Sequence, residues 1–175
     1  MEEEKKYIHL PHIDLKGYYQ FITFRTKESL DSYLKELYRS EEEAKIKQYK
    51  MDKYLDNSSN GRLLYGEMIE KIIDYYLKYD CNVFELEAVS IMPNHIHVLV
   101  KQNDTLTNVI RILKGGAAHI INTSLGRKGA VWSRDYYDKL VRDEHHFQQI
   151  YEYIKHNAVK ANLVDANERF YGKYN

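Results

Sequence analysis

Two runs of apolar and β-branched residues, Val83 to Met92 and His95 to Lys101, are separated by nothing but Pro93-Asn94. A two-residue connection made of turn-forming residues leaves these runs one arrangement, an antiparallel hairpin. Successive side chains of a strand point to opposite faces. In HIHVLVK, Ile96, Val98 and Val100 therefore share one face and supply a buried surface, whereas His95 and His97 are aimed together from the other. A sheet built on this hairpin has an apolar face and a face that carries two convergent imidazoles.

The rest of the chain supplies elements to surround it. Tyr18 to Arg25 (YYQFITFR) is rich in aromatic and β-branched residues and reads as a first strand. Ser29 to about Leu55 carries charged helical patterning, and Asp56 to Gly61 (DNSSNG) is a cluster of turn residues. Leu63 to Leu77 spaces Leu64, Met68, Ile72 and Tyr76 four residues apart, the repeat of an amphipathic helix. Thr105 to Leu125 predicts a helix capped by Asp104 or Thr105 and loosened by Gly115-Gly116. Tyr137 to Val141 predicts a short strand, and Asp143 to about Val159 a final helix. The order strand, helix, strand, strand, helix, strand is that of an α+β fold of the ferredoxin-like, split βαβ type. It predicts an antiparallel sheet with helices on one face, and the last helix is left to cover the other. With two prolines, no internal repeat and no low-complexity segment, the 175 residues are expected to form one domain over 1–175, its core at about 18–164.

Composition narrows the setting. No run reaches the roughly 20 apolar residues of a membrane span. The opening Met1-Glu2-Glu3-Glu4-Lys5-Lys6 has no apolar stretch behind it, unlike a secretory signal. A lone Cys81 has no internal disulfide partner, so a reducing compartment, the cytoplasm, is expected. Lys and Arg number 26, as do Asp and Glu, a balance that argues against a uniformly basic nucleic-acid-binding domain. The charges are unevenly spread, however. Between Lys101 and Arg142 lie eight basic residues against three acidic ones, while acidic residues gather at Glu2 to Glu4, at Glu41 to Glu43 and around Glu85 and Glu87. A positive face on a neutral molecule follows. The seventeen tyrosines fall largely at helical spacing and read as packing residues.

Two histidines on one strand face make half of a divalent-metal site, although His-x-His alone fits a structural pair as well. The final helix, HHFQQIYEYIKHNAV from His145, supplies more. Phe147, Ile150, Ile154 and Ala158 form its apolar stripe. Tyr153 lies to one side, one turn from Asn157 and on the flank of His146, and Tyr151 falls on the opposite edge. Packed against the histidine face, this helix places a phenol and a carboxamide beside the imidazoles. A half-buried packing tyrosine and a helix-ending asparagine is the other reading of the same two residues.

The segment Ser90 to Val100, SIMPNHIHVLV, closely resembles the metal-binding strand of single-tyrosine HUH transposases. Leu113-Lys114-Gly115, Trp132 to Glu144 (WSRDYYDKLVRDE) and Tyr153 to Val164 (YIKHNAVKANLV) are similar to the corresponding stretches of the REP-associated tyrosine transposase branch of the IS200-like family. The likeness runs in the same order from about Tyr18 to Val164. It implies that His95 and His97 bind a divalent ion, that Tyr153 attacks DNA from the C-terminal catalytic helix, and that Asn157 completes the metal site. Two departures stand out: Ala158 occupies a position where the family commonly has proline, and the tail after Val164 lacks the tryptophan-rich stretch of many relatives.

The residue types suit the implied reaction. A phenol with a pKa of about 10 is a better leaving group than a sugar alkoxide, so a freed 3′-hydroxyl can attack a 5′-phosphotyrosine and rejoin strands without ATP. Two imidazoles and an amide oxygen suit Mg²⁺ or Mn²⁺. Lys114, Arg134, Lys139 and Arg142 are candidates for the DNA backbone and Trp132 for a base-stacking surface. The expectation is a single-stranded DNA endonuclease and strand transferase acting on single-stranded or hairpin DNA, without a membrane partner and as a monomer or homodimer. The alternatives are a catalytically inactive nucleic-acid-binding regulator on the same fold, and a metal hydrolase in which Tyr153 is a bystander.

Overall fold

A computed structural model describes residues 12–174. The acidic opening Glu2 to Glu4 and the N-terminal segment read for a signal lie outside them. The elements run β1 (Tyr19–Arg25), α1 (Ser32–Arg39), α2 (Ala44–Asn57), α3 (Glu67–Leu77), β2 (Phe84–Ile91), β3 (His95–Gln102), α4 (Leu106–Leu125), β4 (Tyr137–Leu140), α5 (Glu144–Lys160) and β5 (Phe170–Gly172), with 3-10 turns at Lys27–Ser29 and Ala166–Arg169. The sheet order is β4-β1-β3-β2-β5 and every pairing is antiparallel. Its first four strands have the ferredoxin-like arrangement expected from the order of elements. No helix among the described residues is long and apolar enough to cross a membrane.

The hairpin closes as its sequence dictates, with Met92 N–H donating to the His95 carbonyl at 2.9 Å across Pro93-Asn94. Ile96, Val98 and Val100 are fully buried on the face covered by α3 and α4, where they meet Ile72, Val109 and Leu113. Burial of each such side chain is worth roughly 1.5–3 kcal/mol, which anchors β3 at the centre of the sheet. On the opposite face Phe21, Ala88 and Leu99 meet Ile150, Tyr151 and Ile154 of α5. The apolar stripe of α5 thus packs inward as its spacing predicts. Asp143 caps the helix, accepting from His146 N–H at 2.8 Å.

Several local expectations are revised. The helical patterning from Ser29 to Leu55 resolves into two helices, α1 and α2, with their own small core of Leu34, Leu37, Met51 and Leu55. α3 begins at Glu67 rather than Leu63, because Gly66 stands at φ 62°, a left-handed conformation that breaks the run. Leu64 nevertheless enters the core ahead of the helix. Gly115-Gly116 does not loosen α4, which runs unbroken to Leu125. Gly116 is where the Tyr75 ring of α3 rests, so close that a Cβ there would lie 1.9 Å from a ring carbon. Beyond the expected core, Arg169 is fully buried, donating to the Ile91 carbonyl at 2.9 Å and the Leu64 carbonyl at 3.1 Å. It draws residues past Val164 onto the edge of β2 as a fifth strand.

Candidate active site

The register of the central strands sets the site. β1 places Thr23 opposite His97 and Arg25 opposite His95, and β2 places Ser90 opposite His97. Both imidazoles are fully buried between the sheet and the helices above it, with ring centroids 4.8 Å apart. Each ring has one nitrogen engaged. His95 Nδ1 lies 2.7 Å from Asn94 Oδ1, and the Asn94 amide nitrogen donates to the Leu55 carbonyl at 2.9 Å. Since Asn94 Oδ1 can only accept, His95 Nδ1 carries the proton and Nε2 presents a lone pair. His97 Nδ1 lies 2.7 Å from Thr23 Oγ1. The Nε2 atoms of both rings are buried without a hydrogen-bond partner among the described residues. Burial holds His97 down at about 3 and His95 well below its ordinary range, so both are neutral at physiological pH.

Two neutral imidazoles, each oriented through Nδ1 with Nε2 left unengaged, suit a divalent cation, and with Thr23 Oγ1 accepting from His97 Nδ1 both Nε2 atoms present lone pairs. The third donor type is a carboxylate. Asp52 of α2 brings Oδ1 to 4.0 Å from His97 Nε2, and donor atoms of Asp52, His95 and His97 all lie within 4.8 Å of one another. Asp56, one turn further along α2, brings Oδ1 to 3.7 Å from His95 Nε2. Burial pushes Asp52 up to about 8, partly countered by hydrogen bonds from Tyr153 and Gln48, and pushes Asp56 up to about 7. A buried carboxylate without a paired cation costs free energy until something positive approaches it.

α5 contributes Tyr153 and Asn157 on the flank its spacing predicts. The Tyr153 hydroxyl donates to Asp52 Oδ2, and the phenol ring stands edge-on to His97 at 5.4 Å. Burial, then the neighbouring Asp52, raises the phenol well above its ordinary value. Asn157 is buried, its side chain hydrogen-bonds Tyr153, and its Oδ1 has no donor. The fold therefore brings His95, His97, Tyr153 and Asn157 to one place. Tyr151 lies elsewhere: its hydroxyl donates to the Tyr174 carbonyl at 2.6 Å and accepts from Tyr174 N–H at 3.0 Å.

The candidate DNA-binding residues separate into two groups. Lys139 and Arg142 line an open cleft that leads to Tyr153, together with Lys45, Tyr49 and His146. Burial, Arg142 and Lys45 each lower the Lys139 ammonium, the signature of three cations sharing one surface. Arg134 is exposed outside this cleft. Trp132 is not a stacking surface. It is 7% exposed, edge-on to Phe24 at 4.7 Å, with its indole N–H donating to the Lys114 carbonyl at 2.8 Å. Lys114 returns the contact through Nζ to the Ser133 carbonyl at 2.8 Å, so its ammonium holds the Trp132 segment in place.

Sequence reasoning missed Thr23, Gln48, Asp52, Asp56 and the second role of Asn94. A signal for the α2 residues was present, since Gln48, Asp52 and Asp56 recur every four residues among Met51 and Leu55. Polar side chains on the inward face of a helix must find partners there.

Comparison with known proteins bears on the fold and the family. A relative from Haemophilus influenzae, described as an uncharacterized protein, is 30% identical over an alignment covering 42% of this chain and 54% of its own length. The chain thus spans about half the length of that curated relative. A solved structure described as a REP-associated tyrosine transposase bound to a REP hairpin superposes with a TM-score of 0.52 at 19% identity, covering 90% of this chain and 76% of that one. A Deinococcus radiodurans R1 chain described as a transposase gives 0.47 at 17% identity, covering 90% and 98%. The first of these two supports the fold. The family model for IS200-like transposases matches residues 52–157, an interval that opens on Asp52, closes on Asn157 and contains both histidines and Tyr153. Matched over more than half its length, this chain belongs to the IS200-like transposase family.

Proposed function

We propose that the protein is a metal-dependent single-stranded DNA endonuclease and strand transferase working through a 5′-phosphotyrosine. The observation that carries this reading is the pair of buried, partnerless Nε2 atoms of His95 and His97 with the Tyr153 phenol edge-on beside them. His95 and His97 would hold Mg²⁺ or Mn²⁺ through Nε2, with Asn157 offering its amide oxygen. Bound there, the ion would polarise a scissile phosphate. Thr23 and Asn94 fix the two rings through their other nitrogens, which keeps the two Nε2 atoms convergent without side-chain rearrangement.

Tyr153 is the nucleophile in this reading. Its oxygen forms the bond to phosphorus, the bond from phosphorus to the 3′ oxygen breaks, and the freed strand leaves with a 3′-hydroxyl. The step reverses when a 3′-hydroxyl attacks the phosphotyrosine, so cutting and rejoining use the same residues. Burial of Ile150 and Ile154 against the sheet fixes the rotation of α5 and hence the position of the phenol. Lys139 and Arg142 would hold the phosphate backbone along the cleft that reaches Tyr153, and Arg134 would extend that contact. A hairpin substrate is suggested by the structurally similar transposase, which is bound to a REP hairpin.

The test is covalent capture. The protein incubated with hairpin-flanked single-stranded DNA and Mn²⁺ should yield a protein–DNA adduct that survives denaturant, and EDTA should prevent it. DNA binding without any adduct would leave the inactive regulator as the better reading, and cleavage without an adduct would make Tyr153 a bystander in a metal hydrolase.

A further inference from the structure

The carboxylate of Asp52 is shared between two claims. One oxygen, Oδ2, receives the Tyr153 hydroxyl, and the other, Oδ1, receives the Gln48 amide at 2.8 Å while standing 4.0 Å from the bare Nε2 of His97. The side chain is 7% exposed, so solvent does not satisfy it in either position. Metal–ligand distances of about 2.0–2.2 Å put adjacent donors about 3 Å apart and opposite donors about 4.2 Å apart. The separation of 4.0 Å from His97 falls between these, and the 4.8 Å limit for the trio lies a little above the opposite-donor spacing. A turn of the rigid carboxylate toward the two Nε2 atoms would carry Oδ1 into the coordination sphere of an ion there and draw Oδ2 away from the Tyr153 hydroxyl.

Resting on the metal-centre reading above, we infer that Asp52 is a two-position residue: without an ion it holds the Tyr153 hydroxyl, and with an ion it becomes a ligand and releases the phenol. Binding of the ion and freeing of the nucleophile would then be one event. The hydroxyl of Tyr153 and the cation compete for the same carboxylate, so each weakens the hold of the other. The His95–His97–Asn157 set implied by the family resemblance contains no formal charge. Asp52 adds one negative ligand, which favours hard cations such as Mg²⁺ and Mn²⁺ over softer ones. Gln48 keeps the carboxylate from turning toward solvent in either state. Asp56, with a buried Oδ1 that has no donor, adds negative potential on the His95 side.

Mn²⁺ affinity, measured by calorimetry on the full chain without DNA, tests this apart from activity. Asp52→Asn should weaken Mn²⁺ binding about ten-fold or more, on the scale of lost metal-site partners. Tyr153→Phe removes the competing hydroxyl and should tighten binding about five-fold, one hydrogen bond's worth. In the Asp52→Asn background Tyr153→Phe should have no effect. Parent-like affinity in both single variants, with His97→Ala abolishing binding, would overturn the role of Asp52 while leaving the histidine centre standing. Parent-like affinity in His97→Ala would overturn both. Should Asp52→Asn fail to fold, the Tyr153→Phe measurement decides alone, since unchanged affinity there removes the competition.

Discussion

Tyr151 and Tyr153 sit two residues apart on α5 and have different chemical consequences when their hydroxyls are removed. Around the helix axis Tyr153 is about 40° from Asn157 and Tyr151 about 120° away. The structure converts those angles into different contacts. The Tyr151 hydroxyl makes two backbone hydrogen bonds to Tyr174, at 2.6 and 3.0 Å, which fasten the end of the chain to α5. At about 1 kcal/mol each, their loss in Tyr151→Phe should lower stability by about 2 kcal/mol. With a urea dependence of about 2 kcal/mol/M, the unfolding midpoint should drop by about 1 M. Tyr153→Phe loses the hydrogen bond donated to Asp52, whose carboxyl burial pushes up to about 8, and the one made with the Asn157 side chain. With about 1 kcal/mol for each, the unfolding midpoint should fall by an amount similar to that of the other variant. Chemistry should separate the two variants. Tyr151→Phe should still capture hairpin-flanked DNA covalently below its unfolding transition, and Tyr153→Phe should capture none. Peptide mapping that found the DNA on Tyr151, or an adduct formed by Tyr153→Phe, would refute the helix-phase reasoning and the assignment of the nucleophile together.

Three further outcomes are expected. In the metal-free protein, Asp52 at about 8 and Asp56 at about 7 lie above the carboxylate value of about 4 in the unfolded chain, so the native state holds more protons between these values and stability falls as pH rises. His97, held at about 3, acts in the opposite sense only below about 6.5, so a melting temperature in EDTA that stayed level from about pH 6.5 to 8 would contradict the buried carboxylates. Arg169→Ala removes the donor to Leu64 and Ile91 and strands Asp165, and should cost roughly 2–4 kcal/mol in urea unfolding; an unchanged midpoint would show that the buried guanidinium contributes nothing. Lys139→Ala and Arg142→Ala should each weaken single-stranded DNA binding and flatten its salt dependence by about one counterion, whereas Lys114→Ala should lower stability and leave that slope alone. A salt slope that moved with Lys114 and not with Lys139 would reverse the grouping.

What was legible in the sequence was what repeats along the chain. The alternation in HIHVLVK and the stripe through Ile150 and Ile154 are local periodicities, and they fixed both faces of the sheet and the phase of α5. Residues whose surroundings come from distant parts of the chain were misread or missed. Trp132 stands in a basic segment and reads as a base platform, but Phe24 and the Lys114 carbonyl close around it. Arg169 reads as tail because arginine is almost never fully buried unless paired, and β5 is three residues long, too short for an alternation to register. Asp52 reads as an ordinary charge on an ordinary helix and Asp56 as the opening of a turn. Nothing near them in sequence says that α2 is laid across the histidine face.

Asn94 connects the legible part of the site to the hidden part. In the sequence it is a turn residue that completes the hairpin. In the fold its amide nitrogen donates to the Leu55 carbonyl at 2.9 Å and the Asn60 carbonyl at 3.3 Å, at the end of α2, while its oxygen accepts from His95 at 2.7 Å. One side chain therefore sets the tautomer of a histidine and fastens the helix that carries both carboxylates. Aspartate at this position would offer the oxygen without the donor, leaving the Leu55 carbonyl unmatched and a second buried charge beside His95. Alanine would leave His95 free to protonate either nitrogen. The turn tolerates several residue types, but the combination of donor and acceptor that joins α2 to the imidazole pair is met by a carboxamide of this length.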